Sequence, residues 1–351
     1  MLFISGIPTS RAVAMAIGSD SIIRDKFYTG NFQTEKSAIV LRAAPSWFRF
    51  GSYEIHAKRK DIGVLRELAD FTIEHFFPDI DMTSSHRYLE WFSQVVNQTA
   101  YMIALWQSVG FTHGVCNTDN FSILSITIDY GPFGFMDSFE KGFVPNTSDD
   151  ERRAFNLDKL RHVIEELIPL EQHTNLMYIS LGYKTLYLQY NAQLFSRKLG
   201  LYTSGTDVQH LVELLLDMMH VKRTDFTITF TQLSQWSPAD IRDIKHGGLT
   251  EIKKLSRHPH FREFCRLYHR LISEEVRSRE VLMEMSNPRY VLRNWMAQRA
   301  IEDAEAGNYQ TLQDIARILS KPFTEQLEAE QAGYGREPPA WAKQLRVSCS
   351  S

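Results

Sequence analysis

Residues 113–137 constrain the chain more than any other stretch. They read His113-Gly-Val-Cys-Asn-Thr-Asp119-Asn120, then Phe-Ser-Ile-Leu-Ser-Ile-Thr-Ile, then Asp129-Tyr-Gly-Pro-Phe-Gly-Phe-Met-Asp137. The first part is a polar loop of small residues ending in an adjacent carboxylate and amide. The second alternates Leu124, Ile126 and Ile128 against Ile123, Ser125 and Thr127, which predicts a short strand. The third opens with a carboxylate, Asp129, where that strand gives way to a Gly/Pro turn. A hairpin-like stretch that returns one acid close to another acid and an amide suits a hard divalent cation. Mg2+ takes oxygen ligands, commonly one or two carboxylates with substrate phosphates and water. Each acid also has a structural reading: Asp119 and Asn120 as a turn, Asp129 as a strand end.

The flanking elements follow from periodicity. Arg11 to Ile17 finishes a helix or enters a strand, Ser37–Arg42 reads as a strand, and Gly51–His56 as an extended segment. Between the last two lies Arg42-Ala-Ala-Pro-Ser-Trp-Phe-Arg49, a Pro-bent connection. Two guanidinium forks around such a turn can converge on one anion; the alternative is two surface charges beside aromatics. Leu65, Leu68, Thr72 and Phe76 mark one helical face, closed by Pro78. A longer buried helix follows, capped by Ser84 or Ser85, with Leu89, Phe92, Val96, Thr99, Ile103 and Trp106 as its stripe and Gly110 as its stop. That helix delivers the chain into the 113–137 stretch. Residues 138–156 are polar and loop-like. From Leu157 to about Leu319 the pattern is helical, with Arg262–Met285 as one long amphipathic helix ended by Asn287-Pro-Arg-Tyr. Residues 324–346 lose periodicity and read as a tethered loop or flexible tail. Asp137 reads as a turn or cap acid, and His258-Pro-His260 as a surface loop with no helpful thiol or carboxylate spacing.

At 351 residues the chain is long enough for a large core and more than one lobe. With 39 Lys and Arg against 42 Asp and Glu, and no long basic run, it carries no nucleic-acid footprint. No apolar run approaches the ~20 residues of a membrane span. The three cysteines, Cys116, Cys265 and Cys349, are too scattered for a disulfide scaffold.

HGVxNTDN followed, after the Phe121–Ile128 segment, by DYGPFGF resembles the active-site signature of the selenoprotein O family, also called YdiU. The likeness continues in Ser5-Gly-Ile-Pro-Thr-Ser-Arg11, in Arg42-Ala-Ala-Pro-Ser-Trp-Phe-Arg49-Phe-Gly-Ser, in Asn287-Pro-Arg-Tyr-Val-Leu-Arg-Asn294 and in Val347-Ser-Cys-Ser-Ser351. It therefore covers essentially the whole chain.

The resemblance implies an α+β, mostly α, protein-kinase-like fold. Residues 1–60 would be the remnant of a small lobe, 61–250 a helical large lobe, 251–325 a helical C-terminal extension and 326–351 a loop and tail. It implies transfer of AMP from ATP to Ser, Thr or Tyr hydroxyls of protein substrates, with Mg2+ (or Mn2+) as cofactor. Asp119 would accept the proton, Asn120 and Asp129 would ligate the metal, and Arg42, Arg49 and Asp129 would contact ATP. A kinase catalytic loop reads H-R-D-x-x-x-x-N and its metal strand ends in D-F-G; here Asp119 and Asn120 are adjacent and Asp129-Tyr130-Gly131 is the DFG-like element. His113 would orient the loop or, alternatively, take part in proton transfer. Residues 138–156 would be the activation-segment equivalent. The resemblance to eukaryotic members implies a mitochondrial location.

Two departures open alternatives. The family's small lobe carries a glycine-rich loop, a phosphate-binding lysine and its glutamate ahead of the GIPTSR motif, and Glu35 and Lys36 do not match them. The expectation is of an N-terminally truncated member: weak in ATP binding, or a catalytically inactive, pseudokinase-like binding module. Cys349 stands where many animal members have selenocysteine, so a third reading is a redox-linked protein working through that thiol. The loop cysteine of some bacterial members is replaced here by Pro145 in Val144-Pro-Asn-Thr-Ser-Asp, which leaves Cys349 without that partner.

Overall fold

The computed structural model describes residues 2, 4–25, 27, 29–131, 134–143, 145, 158–275 and 277–347. Cys349 and residues 146–156 lie outside them. The described chain is α+β and mostly helical. It opens with an antiparallel ribbon of β1 (Arg11–Arg24) and β2 (Gln33–Ala43), in register Met15↔Val40 and Ala16↔Ile39. The Arg11–Ile17 segment is thus strand. Ala and β-branched residues fill both faces, yet Val13, Met15, Ile17, Ile39 and Leu41 are all exposed. The ribbon meets the body at its base.

The segment Gly51–His56, which reads as extended from its alternation, is instead part of α1 (Phe50–Arg59). Tertiary packing overrides the pattern: Phe50 stacks on Phe121 with ring centroids 5.4 Å apart, and Tyr53 is fully buried against Trp91. α2 (Ile62–Phe76) follows, burying Leu65 and Thr72 as expected, with Ala69 and Ile73 beside them. α3 (Arg87–Ser108) carries the predicted stripe, with Leu89, Phe92, Val96, Thr99 and Trp106 buried. Neither Ser84 nor Ser85 caps it: the N-cap is His86, with no side-chain cap bond, and Ser84 Oγ accepts only from the His86 N–H in the turn before the helix. Gly110 ends it at φ +72°, where a Cβ would lie 2.6 Å from the Phe226 ring, so both backbone conformation and space demand glycine. α4 (Asp158–Glu165) and α5 (His173–Lys198) complete this first core, with Leu160, Ile164 and Leu167 turned into it.

A second core gathers α6 (Thr206–Lys222), α7 (Phe226–Gln235), α8 (Pro238–Arg242), α9 (Thr250–Leu255) and α10 (Phe261–Ser273) around Leu215, Met219, Phe226, Phe230 and Trp236. The single long helix expected over 262–285 is two: α10 stops at Ser273, and α11 (Arg279–Ser286) restarts behind an N-cap, Ser278, whose hydroxyl accepts from the Val281 N–H. α12 (Asn294–Glu305), α13 (Gln310–Leu319) and α14 (Leu327–Gln331) form a third core. The 324–346 segment is not a loose tail there. Ala329 and Tyr334 are buried, and Trp295 meets both Tyr334 and Trp341.

Candidate active site

The stretch after α3 does not form a regular strand. Ser125 adopts φ +51°, its N–H bonded back to Ser122 O, which folds the chain over so that Phe121 and Thr127 face one another. Ile123, Ser125, Ile126, Thr127 and Ile128 are all buried, so the alternation in the sequence does not divide a core face from a solvent face. Neighbouring segments clamp the fold-over on both sides. Thr127 N–H donates to Pro8 O at 2.9 Å and Ser10 N–H to Thr127 O at 2.8 Å, while Ile123 N–H reaches Phe48 O at 3.0 Å. The GIPTSR motif and the Arg42–Ser52 motif therefore converge on this stretch, though far from it in sequence.

His113 is the internal strut. It is buried, stacked on Trp106 of α3, with Nε2 donating to Asp129 O and Nδ1 accepting from Val115 N–H. Both bonds require the neutral ring, and burial pushes its pKa below the ordinary histidine value. Asn120 Nδ2 donates to Val115 O at 2.7 Å, which leaves Oδ1 as the other end of that side chain. Asp129 is half exposed; Arg42 Nη1 bonds Ile128 O at 2.6 Å and lies 3.4 Å from Asp129 Oδ1, its guanidinium over the Trp47 ring. A continuous set of contacts thus runs Asn120, Val115, His113, Asp129, Arg42.

Asp119 is exposed at the rim, its N–H held by Asn117 Oδ1 at 3.1 Å. Among the described residues its side chain and that of Asn120 make no hydrogen bond to Asp129. Gly51 packs beside Asp119: its N–H donates to Thr118 O, and a Cβ at Gly51 would stand 2.4 Å from Asp119 Oδ1. Arg49 sits at the start of α1, its N–H donating to Ser52 Oγ. Its Nε is buried without a partner, a donor aimed at nothing within the protein. The sequence singled out neither Gly51 nor the bond from Thr118 Oγ1 to Glu54 Oε2, at 2.8 Å. Burial alone would raise the Glu54 carboxyl, but bonds from Lys58 and Thr118 hold it below its usual range. No sequence pattern links Gly51 to Asp119, since the two lie in separate motifs that only the fold brings together.

Asp137 is more than a turn acid. Buried Arg293 reaches Asp137 at 2.6 Å and Asp225 at 2.7 Å. Burial opposes its charge, but the two carboxylates prevail and its pKa rises. Cys116 and Cys265 are both shielded, burial pushing each thiol up to about 12, so neither is a ready thiolate. No three-residue cluster of metal-ligating type occurs among the described residues. No helix there is long and apolar enough to cross a membrane.

The chain is a member of the family described as protein adenylyltransferase SelO, which it matches over residues 1–320, and that family is one of protein nucleotidyltransferases. It is 35% identical to the protein nucleotidyltransferase YdiU of Xanthomonas oryzae pv. oryzae over 98% of this chain and 69% of that protein. It is 36% identical to the protein of the same name from an Azoarcus species, again over 98% and 69%. The Xanthomonas campestris pv. campestris counterpart is 34% identical with the same coverage.

Proposed function

We propose that the chain transfers AMP from ATP to Ser, Thr or Tyr hydroxyls of protein substrates on a protein-kinase-like scaffold. The observation that carries this reading is the bonded path from Asn120 through Val115 and His113 to Asp129 and Arg42. It ties an amide and a carboxylate on one loop to a guanidinium that reaches that loop from the end of β2.

The residues fit a Mg2+ ion that shares its coordination with phosphate and water. One carboxylate and one amide oxygen are too few for an all-protein cage, and Mg2+ bound with nucleotide uses few protein ligands. Asn120 Oδ1 and the half-exposed Asp129 would hold it, and its charge would screen the phosphates. Arg42 and the unpartnered Arg49 Nε supply donors for phosphate oxygens. Asp119, exposed and free of competing salt bridges among the described residues, would take the hydroxyl proton as the oxygen attacks the α-phosphorus and pyrophosphate leaves. His113 acts through position, keeping Asp129 and Val115 in register.

The test is mass spectrometry of purified chain incubated with ATP, Mg2+ and candidate proteins. Adducts of AMP mass that vanish in Asp129→Ala support the reading. Adducts that persist in the variant, or none under any condition, would overturn it.

A further inference from the structure

A cavity of about 400 Å3 opens between α7, α11 and residues 323–325, and none of its wall comes from the 113–137 loop. Its polar wall is dominated by acceptors: the carboxylates of Glu280, Glu284 and Glu325 and the amide of Asn287. The single cation among the lining residues, Arg289, is already engaged by Glu330 at 2.8 Å and Glu325 at 3.4 Å. Glu280 and Glu284 stand one turn apart on α11, an arrangement in which like charges repel. Glu280 meets Ser278 Oγ at 3.2 Å and Arg279 at 3.9 Å. Asn287 is 7% exposed. Its Nδ2 donates to Lys198 O at 2.9 Å, and its Oδ1 is buried in the wall with no partner. An unsatisfied buried acceptor stands beside three carboxylates, of which Glu325 and Glu280 each meet one arginine at 3.4 and 3.9 Å and Glu284 meets none among the described residues, a wall that suits a positively charged group with several N–H donors.

We propose that this cavity binds a guanidinium or ammonium group. An organic cation fits better than a metal ion, because no cluster of three metal-ligating side chains occurs here among the described residues. The volume suits one extended basic side chain or a small free amine. The proposal is independent of the transferase reading.

Calorimetric titration of the full chain tests it with three probes: L-argininamide, a short arginine-containing peptide, and the same peptide with neutral citrulline in place of arginine. The expected result is binding of both cationic probes, weakened by added salt and weakened roughly tenfold or more in the Glu280→Gln/Glu284→Gln variant, with the citrulline peptide inert. Both substitutions are at exposed positions, and an unchanged thermal midpoint would show the variant folded. A peptide that binds much tighter than argininamide identifies the ligand as a side chain of a protein partner; equal affinities identify a free small cation. No binding by either cationic probe would overturn the proposal, as would equal binding by citrulline peptide or an affinity the double variant leaves unchanged.

Discussion

At the scale of single residues, the site depends on small groups that carry no chemistry. Gly51 leaves room for the Asp119 carboxylate, and the gap is 2.4 Å to an imagined Cβ. Gly51→Ala therefore pushes an exposed, rotatable carboxylate aside rather than breaking a core. Misplacing a reacting group by about an ångström costs on the order of 100-fold in rate. Adenylylation by Gly51→Ala should fall by that order while its thermal midpoint stays near the parent's; equal activity would show that Asp119 has no fixed place. That His113 would orient the loop was an expectation from the resemblance, since it opens the motif that ends in Asp119 and Asn120. Its bond to the Asp129 carbonyl was not, since that partner comes only when the fold-over at Ser125 closes.

At the scale of elements, strong periodicity was legible and tertiary overrides were not. The Gly110 stop and most of the stripe of α3 could be read from the apolar spacing, although burial extends well beyond that stripe to residues such as Trp91, Val95 and Met102. α1 could not, because Phe50 and Tyr53 become helical only against Phe121 and Trp91. The break between α10 and α11 was signalled by Ser278 but outweighed by the long charged pattern. The last residue of α5, Lys198, shows another such burial: it is 2% exposed with its ammonium 4.2 Å from the Phe230 ring. Burial pulls its pKa down to about 7, against an ordinary value near 10.5. Between those two values the unfolded chain holds a proton the folded chain has shed, so stability rises with pH through that window and is lost as pH falls through it. Lys198→Met should therefore be more stable than the parent at pH 7, with the advantage fading toward pH 10 in thermal melts. An advantage that is flat across that range would mean the lysine stays charged when folded.

At the scale of the whole molecule, one buried cation ties the parts together. Arg293, 1% exposed, joins Asp137, just past the site loop, to Asp225 at the head of α7, whose N–H donates in turn to Glu251 of α9. Its Asn287–Asn294 motif was visible in sequence, but the partners stand 156 and 68 residues away, beyond any local pattern. Removing one partner of a buried pair typically costs about 3–5 kcal/mol. Arg293→Ala should lose stability on that order in denaturant titration, and Arg293→Lys should recover only part of it, because a single compact ammonium lacks the two guanidinium nitrogens that hold Asp225 together while one also reaches Asp137. A loss below about 1 kcal/mol would show the network to be incidental. The proposed AMP transfer requires attack at the α-phosphorus of ATP, not the γ-phosphorus. The most direct measurement incubates the chain and a protein substrate with ATP labelled at the α-phosphorus or, separately, at the γ-phosphorus. Label on protein from the α position alone, abolished by Asp119→Asn, is the predicted result; label from the γ position would make the chain a phosphotransferase and contradict the account.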